Sequence, residues 1–251
     1  MSATMFVLLA VAHSYLGERA VIQPLLAEAW TIPIPRWAAN RLIRYAWHAT
    51  SIAWLGLAVV AVGGRPVIAV GAVGAVSGIA MLALLRGHLA WPLFLLAAFA
   101  AGVETGVVGR AALTVMAGGG IVILLGAAAV HLYWVFGGTR WLDVVVPAGV
   151  DGAPAFTPGR LVTVGVVLLM VLQAAGIAGA ATVDDPPLLL KTVVAAGGVV
   201  LALRAIGDGR QTGFTKTDRS TAFARYDDLL FTPLVVTLAF ASLSGVLLAM
   251  G

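Results

Sequence analysis

Apolar residues in this chain come in long runs, set apart by stretches where proline, glycine and charge collect. A helix needs about 20 apolar residues to cross a bilayer. Runs of that order fall near 43–62, 66–85, 89–108, 118–136, 161–181, 188–206 and 229–250, and a shorter one, 4–17, precedes them. The pattern predicts an all-α polytopic integral membrane protein, a helical bundle of about eight transmembrane helices. The first run has no positive charge before it and Arg19 just after it, so it is expected to stay as a helix; a cleaved leader has its basic residues first. Between the first two runs, residues 18–40 carry Pro24, Pro33 and Pro35 with Trp30 and Trp37. Proline breaks long helices and tryptophan settles at the headgroups, so this stretch is expected to lie on the membrane surface.

One run differs from the rest. Arg41, Arg44, His48 and Ser51 are three, four and three residues apart, which puts them on one helical face, with Trp47 and Trp54 on the neighbouring face. Such a stripe costs too much facing lipid and should point at protein, water or a ligand.

Composition sharpens the class. Of 251 residues, 61% are hydrophobic and 10% charged, where soluble domains carry about 25% charged residues; mean hydropathy is +1.03. The absence of cysteine removes thiol catalysis, disulfides and thiolate ligation. The pI near 10.0 reads as membrane topology and not as nucleic-acid binding. With eight spans, one side receives Arg19, Arg36, Arg41, Arg44, Arg86, Arg140, Arg160, Arg204, Arg210, Lys216, Arg219 and Arg225, the other only Arg65, Arg110 and Lys191. By the positive-inside rule both termini face outward and the long basic loops face the cytoplasm. Heavy use of Ala, Val, Gly and Arg with two lysines suggests a GC-rich bacterial genome, and with the helical bundle the expected location is a bacterial inner (cytoplasmic) membrane. The spans divide into two four-helix halves, 1–112 and 113–251.

The candidate chemistry is sparse. His13, His48, His88 and His131 all fall in or at the ends of runs, on the side assigned to the cytoplasm. Paired imidazoles can clasp non-covalent haem b, with His13 and His48 the first pair and His88 with His131 the second; no other metal signature is present. The broader expectation is a polar pocket of His13, Arg44, His48, Ser51, His131 and Asp228 that binds a small anionic or quinone-like ligand, since histidine as a residue type exchanges protons near neutral pH. Asp184-Asp185-Pro186-Pro187 reads as an acidic helix cap with proline in the first turn. The glycines and basic residues of 207–228 could cradle phosphate or meet anionic lipid headgroups. Small residues four apart, Gly74 to Gly78 and Gly102 to Gly106, suit helix packing within the chain or between copies. No phosphate-loop, HExxH or GxSxG motif occurs, so whether the chain is an enzyme stays open.

VHLYWVFGG (130–138) with Pro147, and GDGRQTGFTK (207–216) followed by FARYDDLLFTPL (223–234), make residues 121–248 resemble a family of small bacterial four-helix membrane proteins catalogued as a domain of unknown function. The resemblance implies a fold and no activity. AHSYLGE (12–18) and RYAWHATSIAW (44–54) resemble a companion segment of similar bacterial proteins, with no function implied. Three classes remain: a ligand-binding membrane protein, with haem or quinone its sharpest form; a small-molecule transporter or exporter; and an accessory subunit of a membrane complex.

Overall fold

The computed structural model describes residues 2–29, 31, 33–84, 90–147 and 156–250. It is 79% helix, with no strand among the described residues. The chain divides into two compact units, Met1–Val108 and Gly109–Gly251.

In the first unit α1 (Ser2–Gly17) runs into a π-helical turn (Glu18–Ile22) and on into α2 (Gln23–Ala27), followed by α3 (Arg36–Ala61), α4 (Pro66–Leu84) and α5 (Ala90–Glu104). Packing is serial: α1 lies against α3, α3 against α4, and α4 against α5. The expectation that residues 18–40 leave the helix is corrected for the first part of that stretch. Proline lacks an N–H and its ring presses on the carbonyl four residues back. Here a widened π turn precedes Pro24, which then falls in the first turn of α2, where its N–H is not needed.

The second unit contains α6 (Arg110–Val135), the short α7 (Leu142–Val145), α8 (Arg160–Thr182) and α9 (Leu188–Ile206). It ends in α10 (Ala222–Tyr226), a second π turn (Asp227–Phe231) and α11 (Thr232–Leu248). The device ahead of Pro24 recurs, with Pro233 in the first turn of α11. Helix α11 packs against α6, α8 and α9. Aromatics close α6: Trp134 Nε1 donates to the Arg140 carbonyl at 2.9 Å. The Tyr133 ring covers Gly138, where a Cβ would come within 2.2 Å of it. Much of VHLYWVFGG is thus a helix ending. The acidic cap expected at 184–187 does not form. Helix α9 starts after both prolines with Pro187 as its cap, and Asp185 instead reaches Lys191 at 3.7 Å.

Among the described residues six helices are long and apolar enough to cross a membrane: Ala3–Ala27, Pro66–Leu84, Arg110–Val135, Arg160–Thr182, Leu188–Ile206 and Ala222–Leu248. Helix α3 has 26 residues but falls outside that set, because its polar stripe dilutes the apolar run. Helix α5 counts 15 residues among those described. Gly74 and Gly78 face α5 of the same chain, where a Cβ would meet the Phe94 carbonyl at 2.8 Å and Leu95 at 2.7 Å. Gly106 lies past the end of α5 with φ +77°, so Gly102 and Gly106 do not form a helix-packing pair.

Candidate functional site

In the first unit α1 and α3 approach closely at Gly17, where a Cβ would stand 1.9 Å from Trp47 Nε1. The missing side chain lets the indole lie across α1, and Trp47 Nε1 donates to the His13 carbonyl at 3.0 Å. The His13 ring stacks on Trp47, centroids 4.6 Å apart and planes 7° from parallel, and meets Trp54 edge-on at 4.8 Å.

From His13 a continuous polar chain crosses between the two helices. His13 Nδ1 lies 3.2 Å from Ser51 Oγ, Ser14 Oγ donates to Ser51 Oγ at 2.9 Å, and His48 Nδ1 lies 3.0 Å from Ser14 Oγ. His48 Nε2 is 3.6 Å from Glu18 Oε2. Glu18 accepts from Arg44, whose Nε and Nη2 both lie 2.9 Å from Oε1, and Arg44 Nη1 donates to Asn40 Oδ1. Ser51, at 5% exposed, is the buried point of the chain, and the other members are half-buried, Arg44 with a side chain 37% exposed. A half-buried stripe of this kind survives because its polar atoms find partners in one another.

Of the sequence-predicted residues, His13, Arg44, His48 and Ser51 come together here. Arg41 does not: it reaches the Leu84 carbonyl at 3.4 Å and lies over the Trp37 ring. Sequence reasoning missed Ser14, which sits next to His13 but belongs to no periodic stripe. His88 lies outside the described residues. His131 and Asp228 belong to the second unit. His131 Nδ1 donates to its own helix at the Ala127 carbonyl, 2.8 Å, and its ring meets Trp134 edge-on. Both ring nitrogens of His48 face partners, so clasping haem between His13 and His48 would require the Glu18 contact or the Ser14 contact to break. Among the described residues no group of three His, Cys, Asp or Glu side chains could hold a metal ion.

The second unit holds a different polar centre, where residues 207–221 fold back on α9 and the second π turn. Gly207 and Gly213 take positive φ, 97° and 73°, in a contact so close that a Cβ on Gly207 would stand 1.8 Å from the Thr212 carbonyl. Asp227, fully buried, accepts from Arg204 at 2.6 Å through Oδ1. Its Oδ2 accepts from Lys216 at 2.8 Å, the Gly213 N–H at 2.8 Å and Thr232 at 2.9 Å. Lys216, its side chain also fully buried, reaches Asp228 at 2.7 Å, and Asp228 pairs with Arg219 at 2.9 Å. Alternating charge makes this a five-member clasp. At the loop's edge, partial burial pushes the Asp208 carboxyl up, but N–H bonds from Thr212, Arg210 and Gln211 outweigh that and hold it at about 2. Neither Lys216 nor those three amides is left for a phosphate, so the cradle expected from the sequence is filled by the protein's own carboxylates.

A groove of about 320 Å³ between α6 and α11, lined by Val115, Met116, Gly119, Gly120, Ile123, Val236, Thr237 and Phe240, is apolar and includes none of the predicted site residues.

Residues 124–242 match a family described as "Protein of unknown function (DUF3995)". That span contains His131, the α6 ending and the charge clasp, whereas the His13–His48 chain lies outside it. No curated protein and no solved structure matches the chain. The second half of this protein is therefore similar to a family of unknown function.

Proposed function

We propose that this is a multi-pass protein of a bacterial inner membrane, with about eight spans and both termini outside, whose first unit binds a small proton-accepting ligand of the quinone or anionic class. Helix α3 counts as a span in this reading because its stripe is turned to protein, and α5 as a short one. The observation that carries the reading is the chain of hydrogen bonds and ion pairs from His13 to Arg44 inside otherwise apolar helices. Ionisable groups there are costly and their usual return is a function. Trp47 and Trp54 beside His13 supply flat apolar walls suited to a planar ring, while Arg44 supplies positive charge.

The reading is favoured over haem by His48, whose two nitrogens already have partners. The test is organic extraction of detergent-purified protein, with an absorption spectrum before and after dithionite. A quinone or small organic acid retained by wild type and lost from His48→Ala is the expected result. Equal retention by His48→Ala overturns the assignment, and a Soret band would replace the ligand class with haem.

A further inference from the structure

We propose that Ser14 and Ser51 form a two-hydroxyl proton wire that moves a proton from His48 to His13. This deepens the binding reading above and rests on it.

A serine buried in an apolar helix usually donates to the carbonyl four residues back. Ser242 does so to Leu238 and Ser244 to Phe240, at 2.9 and 2.8 Å. Ser14 and Ser51 spend their protons across the helix pair instead. Each hydroxyl carries one proton, so three contacts in series through two hydroxyls allow only two polarities. With Ser14 donating to Ser51, Ser51 must donate to His13 Nδ1, and Ser14 must accept from an N–H at His48 Nδ1. His13 then carries its proton at Nε2 and has a bare Nδ1. The loaded wire therefore has an N–H at His48 Nδ1 and a bare Nδ1 at His13.

That polarity is the loaded state of a wire. Start with His48 as imidazolium, its Nε2–H toward the Glu18 carboxylate. The N–H bond at His48 Nδ1 breaks as an O–H bond forms on Ser14. The former Ser14 proton bonds to Ser51, and the former Ser51 proton forms an N–H bond at His13 Nδ1. One proton and one positive charge leave His48 and arrive at His13, with no electron transferred. Both hydroxyls finish reversed, and rotation about Cβ–Oγ resets them. Glu18 and Arg44, the charged groups facing His48, hold the entry end, and Trp47 and Trp54 enclose the delivery end beside the proposed ligand.

The experiment is nitrogen NMR of the full chain, labelled with 15N at histidine, with signals assigned by single histidine replacements. A protonated Nδ1 at His48 and a bare Nδ1 at His13 are expected. His48→Ala should shift the His13 signals, through the serines, in wild type. Ser51→Ala, a smaller residue that fits the same space, should abolish that response, and Ser51→Thr should restore it. A His13 response that persists in Ser51→Ala overturns the wire, as does the same protonation of Nδ1 in both rings. Extraction of the same samples separates the two readings. Ligand dependent on His48 without coupled histidines sinks the wire alone, and coupled histidines with ligand indifferent to His48 sink the binding reading alone.

Discussion

Lys216→Met removes one end of an ion pair in which both side chains are fully buried. Taking one partner from such a pair costs about 3–5 kcal/mol, because the other charge is left without compensation. Asp227 keeps Arg204, the Gly213 N–H and Thr232, so the loss belongs at the low end, about 3 kcal/mol. At roughly 2–4 °C per kcal/mol for a chain of this size, Tm should fall by roughly 6–12 °C. The assay is a thermal melt of detergent-solubilised protein at one fixed scan rate, since unfolding of such proteins is often irreversible. Pairing the change with Asp227→Asn gives a sharper reading. The double variant should lose less than the sum of the two singles, by about 1–3 kcal/mol, because they share the same bond. A fall in Tm under about 2 °C, less than 1 kcal/mol can account for, would refute the reasoning and mean that Lys216 is solvated.

Gly17→Ala should push Trp47 off α1, losing a hydrogen bond and a ring stack worth about 1 kcal/mol each, against a helix-propensity gain of about 1 kcal/mol. With the strain of displacement the net cost is about 1–2 kcal/mol, accompanied by a shift in tryptophan emission; unchanged Tm and emission would count against the packing. Asp208 titrates below its ordinary 3.8 in the folded loop, so its contribution is complete above about pH 4 and is lost as pH falls through about 2. The group is exposed, so solvent keeps the effect small, below about 1 kcal/mol. Asp208→Asn should flatten the acid side of a Tm-against-pH curve, and parallel curves would remove the loop amides as the cause.

Helix positions were legible where periodicity and punctuation agree. The run 188–206 has its helix at those residues because Pro187 and Gly207 bound it on both sides. The stripe of Arg44, His48 and Ser51 was legible because helical spacing alone puts them on one face. Their partners were not. Ser14 and Glu18 sit on another helix, and which residue of α1 meets α3 depends on the close approach at Gly17. In the second unit the sequence drew attention to Asp228, yet Asp227 is the fully buried carboxylate. Two adjacent aspartates in a π turn carry no periodicity to say which points inward. Lys216 is eleven residues from Asp227 through a loop, and loops have no repeat from which a pairing could be read.

The π turns at Glu18–Ile22 and Asp227–Phe231 have a consequence for how these spans tolerate changes in length. A turn closed by i→i+5 bonds holds one residue more than an α-helical turn. In an ordinary helix, deleting one residue rotates everything beyond it by about 100°, carrying a lipid-facing side chain toward protein. Within either π turn the surplus residue can be surrendered, so the helix on each side keeps its facing. The acidic turns are therefore where an odd residue can be gained or lost while both flanks of a span stay in phase.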